Sequence, residues 1–234
     1  MTLIAGTILP NGIIMMSDTR AIDSKGRPCE EYRRKIIEVT PKTLVGTSGT
    51  GNTVLAALAQ RHALYDKSEN MKTGEIRESL IDQYLELYEP FRKTNDTFGS
   101  FLIADYDSTS NTYSLLSQIN DDSRAFKNVT DTVLIGSTPP IRDSAKSDIQ
   151  DLLEQFTTEQ IADPNFFMKF SHHVKIIFEH YSNQDHTIND KLYCEYLTIR
   201  NNKLTILKYL FETDNSIHLI DREYDGFTIV KQGN

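Results

Sequence analysis

Threonine stands second in the chain, directly ahead of the β-branched and aliphatic run Leu3-Ile4-Ala5-Gly6-Thr7-Ile8-Leu9. A small penultimate residue permits removal of the initiator Met1, which would leave a hydroxyl and a free α-amino group on Thr2. An α-amine titrates near pH ~8, close enough to neutral to take the hydroxyl proton, so nucleophile and general base would share one residue. The chemistry open to such a residue is acyl transfer. Met-Thr beginnings are common, so the reading depends on what else is placed around Thr2. Five further groups stand out: Ser17-Asp18-Thr19-Arg20, Lys35 at the head of Ile36-Ile37-Glu38-Val39, Thr47-Ser48-Gly49-Thr50-Gly51, Leu134-Ile135-Gly136-Ser137 and Asp185-His186-Thr187.

These groups fall at the ends of expected elements. Thr2 to Leu9 and Ile13 to Met16 read as a hairpin, with Asn11-Gly12 supplying the positive φ angles of a tight turn. Lys35 to Val39 and Thr43 to Thr47 form a second strand pair. After the Gly49-Thr50-Gly51 turn the period changes: Val54, Leu55, Leu58, Ala59 and His62 fall at helical spacing up to about Tyr65. A second helix is expected from Thr73 to Arg92, with Tyr84, Tyr88 and Phe91 as core or subunit-interface residues. Strands follow at Ser100 to Tyr106, Thr112 to Ile119 and Thr132 to Gly136, then helices at Ile141 to Phe156 and Asn165 to His180. A hairpin, Leu192 to Ile199 and Lys203 to Leu210, turns at Asn201-Asn202. Hairpin connections and paired helices predict an α+β fold with antiparallel sheets, in a single domain over residues 1–234.

In this order and at these separations the segments resemble the proteasome β-subunit family, a group of N-terminal nucleophile (Ntn) hydrolases. The family shows an N-terminal Thr, an Ala-Asp-Thr-Arg-like end to the second strand, a Lys before an apolar strand and a Ser-Gly turn into the first helix. The resemblance is specific over residues 2 to 60 and preserves order beyond. It implies a four-layer αββα sandwich of two antiparallel sheets flanked by helices, and a threonine-type peptidase.

Carried over by position, Thr2 is the nucleophile, Asp18 orients and charge-balances Lys35, the Gly49 N–H meets the oxyanion, and Ser137 supports the Thr amine. Lys35 lies one residue later than the family's commonest spacing. Either the Ile22 to Glu31 loop holds an insertion or Arg34 takes the site; Lys35 is preferred because an always-protonated Arg cannot pass a proton. Asp185 and Thr187 correspond to the last supporting pair, here without the Gly-Gly that usually follows. The nearest likeness there is the short Asp-x-Ser of the bacterial homologue Anbu. Ala21, Thr47 and Gly51 fall where the specificity pocket is lined, and their small size suggests room for a bulky apolar side chain. The resemblance further implies peptide or protein substrates, a homo-oligomeric ring or stacked ring, and room for an ATP-dependent unfoldase partner. A start with nothing ahead of Thr2 but Met1 is closer to the HslV and Anbu types than to self-processing subunits.

Composition bounds the alternatives. A net charge of −8 works against nucleic-acid binding. Three adjacent cations, Arg33-Arg34-Lys35, read on composition alone as a solvated face. The N-terminus has neither a signal peptide's basic start nor a spanning apolar run, so no membrane association and a cytoplasmic location are expected. Cys29 and Cys194 sit in no metal or disulfide spacing, and His172, His173 and His180 lack an acidic partner, so neither metal nor cofactor is expected. Asn95-Asp96-Thr97 and Asn128-Val129-Thr130 would matter as glycosylation acceptors only outside the cell. Taken singly, Asp18 with Arg20 reads as a strand-end ion pair, Gly49 with Gly51 as a helix-entry loop and Ser137 as a helix cap. Two other functions share these residues: a catalytically silent scaffold subunit, and an Ntn amidohydrolase or transpeptidase.

Overall fold

The computed structural model describes residues 2–94, 98–119, 125–222 and 226–233. Asn95-Asp96-Thr97 and Met1 lie outside the described residues. Strands β1 (Leu3–Leu9) and β2 (Gly12–Ser17) form the first hairpin, a short ribbon pairs β3 (Ala21–Ile22) with β4 (Pro28–Glu30), and β5 (Ile36–Thr40) and β6 (Thr43–Gly49) form the next pair. Helices α1 (Gly51–Leu64) and α2 (Thr73–Thr94) follow, then β7 (Gly99–Asp107), β8 (Thr112–Gln118), β9 (Lys127–Val129) and β10 (Thr132–Gly136). The chain continues through α3 (Pro139–Glu154), α4 (Thr158–Ile161) and α5 (Phe166–Ser182) into β11 (Leu192–Arg200), β12 (Lys203–Phe211) and β13 (Ile217–Leu219).

One sheet runs β10-β1-β2-β11-β12-β13 and the other β5-β6-β7-β8-β9, and every ladder in both is antiparallel. The α+β class with antiparallel sheets is therefore as expected. Three clusters of buried side chains show what covers each face. Leu3, Ala5, Ile14 and Met16 meet Ile149 of α3 and Phe170, Val174 and Phe178 of α5. Their alternate neighbours Ile4, Ile13 and Met15 meet Leu44, Leu102 and Leu115 of the other sheet. Val45, Ile103 and Leu116 on that sheet's far face meet Val54 and Leu58 of α1 and Ile76, Leu80 and Tyr84 of α2. Because both faces of β1 and β2 are covered, these strands are apolar at nearly every position instead of alternating with polar residues.

The last hairpin turns where the sequence places it. Asn201 and Asn202 both take positive φ, 51° and 60°, the left-handed geometry that Asn tolerates and a tight hairpin needs. The first hairpin departs from expectation. Its turn is Pro10-Asn11, and Asn11 is not left-handed; Gly12 already pairs with Leu9. Gly12 is required by the neighbouring strand instead, since a Cβ there would stand 2.3 Å from the Leu197 carbonyl oxygen. Tyr84 and Tyr88 belong to the core: Tyr84 packs edge-on to Phe101 at 4.6 Å, with its hydroxyl 2.8 Å from Gln118 Oε1. Among the described residues no helix is long and apolar enough to cross a membrane.

Candidate active site

The β1–β2 hairpin brings Asp18, just past β2, beside Leu3, just past Thr2. Leu3 donates its backbone N–H to Asp18 Oδ1 at 2.8 Å, and Asp18 donates its own to the Leu3 carbonyl at 3.2 Å. Lys35, immediately before β5, places Nζ 2.7 Å from both Asp18 oxygens, and both side chains are buried. Burial drives the Lys35 ammonium below the ordinary lysine range, with the Asp18 carboxylate opposing that drop. The solvated face suggested by Arg33-Arg34-Lys35 is not formed, because Arg34 and Lys35 are both buried.

Lys35, not Arg34, meets Asp18. Arg34 turns to other partners: its backbone N–H bonds the Phe227 carbonyl, and its charge acts on the buried Glu195. The β3–β4 ribbon ahead of it carries a register irregularity between Ala21 and Ile22, the kind of local feature that takes up an extra residue without displacing the next strand.

Thr2 lies on a wall shared by two clefts. The first, of ≈ 330 Å³, holds Thr2, Lys35 and Gly49 together with Ala21, Thr47 and Gly51. Arg20 and Arg33 line it as well, beside Ile22 and Val54. Each of these guanidinium groups is held by a carboxylate, Arg20 by Glu31 at 2.8 Å and Arg33 by Glu30 at 3.2 Å. The second cleft, of ≈ 270 Å³, holds Thr2 and Gly49 with Ser137, Ile119, Pro139 and Arg142.

Two glycines set this wall. Gly49 closes β6 rather than opening α1, which starts two residues on with Thr50 as its cap. At φ +112° it faces Gly99, and a Cβ would come 2.5 Å from the Gly99 Cα. Gly136, at φ +82°, sits against Thr2 so closely that a Cβ would fall 1.9 Å from the Thr2 carbonyl oxygen. Only glycine allows either approach.

Ser137 follows in the left-handed region at φ 49°. It does not cap α3; that place belongs to Thr138. Its hydroxyl instead donates to Asp185 Oδ2 at 3.3 Å, while Asp185 Oδ1 accepts from the Thr187 N–H at 2.9 Å and the Thr187 hydroxyl at 2.6 Å. Burial works to raise the Asp185 carboxyl, and these hydrogen bonds outweigh it, leaving it below the ordinary carboxylate range. Ser137, Asp185 and Thr187 are thus one hydrogen-bonded group.

Residues without a sequence signal join the two halves. Asn189, buried in the loop before β11, accepts from the Thr19 N–H at 2.9 Å and donates to Thr19 Oγ1 and Glu31 Oε2, each at 2.9 Å. Arg20 reaches from Glu31 to the His186 carbonyl at 2.7 Å. The loop that carries Asp18 is therefore tied to the loop that carries Asp185 and Thr187. Arg20 belongs to the tetrapeptide that closes the second strand and so has a signal in sequence; nothing there points to Asn189, whose partners are distant in the chain, or to Arg142, which lines a cleft with residues distant from it. The histidines serve other ends: His173 Nδ1 lies 2.8 Å from the Lys169 carbonyl and His180 Nε2 lies 2.7 Å from Gln184.

No protein-family model matches the chain, and no curated protein matches it.

Proposed function

We propose that this protein is a threonine-type amide hydrolase with the four-layer Ntn hydrolase fold, acting on peptide bonds through Thr2 once Met1 is removed. The observation that carries the reading is the buried Asp18–Lys35 pair, with Lys35 and Thr2 lining one cleft and Asp18 fixing the residue after Thr2. A charged pair taken wholly out of water is costly, and on this reading its role is to act on the hydroxyl of Thr2.

In the reaction, Thr2 Oγ attacks the substrate carbonyl and its proton passes to the Thr2 α-amine. The nearby ammonium of Lys35 favours the alkoxide form of the hydroxyl, and the Gly49 N–H takes the developing oxyanion. The tetrahedral adduct collapses, the C–N bond breaks, and the α-amine hands its proton to the departing nitrogen. Water, deprotonated by the same amine, then releases the acyl group from its ester with Thr2. Ser137 and Asp185 orient the amine, and Thr187 holds Asp185 in place. A homo-oligomeric, self-compartmentalising assembly fits this reading; Leu55 on α1 and Ile176 on α5 stand 52% and 57% exposed on helices that cover opposite sheets.

Intact-mass spectrometry before and after an epoxyketone inhibitor tests the assignment. Loss of Met1 and one adduct, absent in Thr2→Ala, is the expected result. Retained Met1 with no adduct overturns it in favour of a silent scaffold subunit.

A further inference from the structure

The second cleft contains a charge that the hydrolytic steps do not use. Arg142, on the first turns of α3, lines it together with Thr2 and Ser137. Its ion pair is with the adjacent Asp143 at 3.2 Å, whose side chain is 70% exposed while that of Arg142 is 20% exposed. Such a solvent-screened pair between neighbours is weak, which leaves the guanidinium able to take a ligand in the cleft it lines. None of the described residues lining that cleft is acidic: besides Arg142 they are serines, glycines, Thr2, Ile119 and Pro139.

The electrostatics say which half of a substrate enters here. An α-ammonium is held by a carboxylate and a hydroxyl, not by another ammonium. Ser137, which donates to Asp185, lines the second cleft, and Lys35 lines the first. The nitrogen that receives a proton from the Thr2 amine therefore departs on the Ser137 side. At ≈ 270 Å³ this cleft is below the usual range for a drug-sized ligand, so it takes a small group rather than a long chain.

We infer that the second cleft is a binding site for an amine leaving group that carries a carboxylate, with Arg142 as its anchor and Ile119 and Pro139 as the apolar wall. The inference rests on the amide-hydrolase reading and adds its substrate class: short peptides or acylated amino acids whose departing residue presents an anion. Planar guanidinium and carboxylate groups match in a two-bond contact that a neutral amide cannot reproduce. The carboxylate has two sources, the chain terminus and an acidic side chain.

The experiment uses full-length protein freed of Met1 and N-blocked dipeptides X-Gly, X-Gly-NH2 and X-Glu-NH2, with X acidic, basic, aliphatic or aromatic. The reading predicts kcat/KM for X-Gly about tenfold or more above that for X-Gly-NH2. It also predicts that the ratio falls toward one in Arg142→Gln and is partly kept in Arg142→Lys. A preference for X-Glu-NH2 over X-Gly would assign the site to an acidic side chain instead of the terminus. Cleavage of all three at equal rates, or a ratio unchanged in Arg142→Gln, overturns the inference while leaving the hydrolase standing. Absence of any cleavage, together with no epoxyketone adduct on Thr2, overturns both. The ratio in the unsubstituted protein needs no variant, so a misfolded Arg142 variant would not rescue the idea.

Discussion

Asp18 bonds Leu3 through both of its ends, accepting the Leu3 N–H on its carboxylate and giving its own N–H to the Leu3 carbonyl. One residue thereby fixes the strand that begins just after Thr2 and the ammonium of Lys35. Positioning and charge cannot be separated by a single substitution at this site, but two substitutions can separate them.

Removing one partner of a buried pair strands the other charge, so Lys35→Met should cost ~3–5 kcal/mol of stability. Asp18→Asn should cost a similar amount, since it leaves the ammonium without its counter-charge. The double variant should recover part of that loss, because no buried charge then lacks a partner. Urea unfolding of the four proteins as a double-mutant cycle measures the coupling; additive losses would show that the pair contributes nothing beyond its members. Hydrolytic activity should vanish in all three variants.

Glycine substitutions should divide sharply by position. Gly136→Ala drives a methyl into the Thr2 carbonyl and should cost ~1–3 kcal/mol, with activity falling further than stability. Gly74, in the first turn of α2, has nothing within 4 Å of an added Cβ. Gly74→Ala should therefore raise stability by ~0.5–1 kcal/mol and leave activity alone. Thermal or urea unfolding of both decides the point.

Asp185 makes stability depend on acid. Its carboxyl titrates below the ordinary range when folded, so between the folded and unfolded pKa values the unfolded chain holds more protons. Its stabilising contribution is complete above the unfolded pKa of ~3.9 and is lost as pH falls through the folded value. Asp185→Asn should then be less stable than the parent at neutral pH, and the gap should close in the acid window that opens as pH falls below the unfolded pKa of ~3.9. A gap constant over that window would mean that the Ser137 and Thr187 bonds do not favour the ionised form.

Asn189→Ala takes the acceptor from the buried Thr19 N–H and one donor from the partly exposed Glu31, and should cost ~1–3 kcal/mol. If Asn189 ties the two loops together, it should also lower kcat more than it raises KM, because catalytic groups shift while the clefts remain. Steady-state kinetics on any cleaved peptide would separate that outcome from simple loss of folded protein.

The features legible in the sequence had a period or a turn to announce them. The register of β11 on β12 around Asn201-Asn202, and helices α1, α2, α3 and α5, follow from local chemistry repeated over many residues. The β3–β4 ribbon, α4 and β13 are only two to four residues long, too short to carry a pattern. Asn11-Gly12 misled because the same glycine answers two demands: the requirement came from Leu197, on a strand far along the chain. The site divides the same way. Thr2, Asp18, Lys35 and Gly49 sit at ends of recognisable strands, whereas Arg142 and Asn189 acquire meaning only when α3 and the loop before β11 are folded against the rest.

The floor beneath Thr2 is backbone, kept bare by Gly49, Gly99 and Gly136, while the two clefts differ through side chains such as Ile22, Arg33, Ile119 and Arg142. Floor and walls therefore face different mutational rules. A change in the floor can only add atoms where none fit, so drift there is closed off. A change in a wall trades one surface group for another without moving Thr2. If the hydrolase reading holds, such a division would let descendants of this chain acquire new substrates by small steps while the reacting atoms stay where they are.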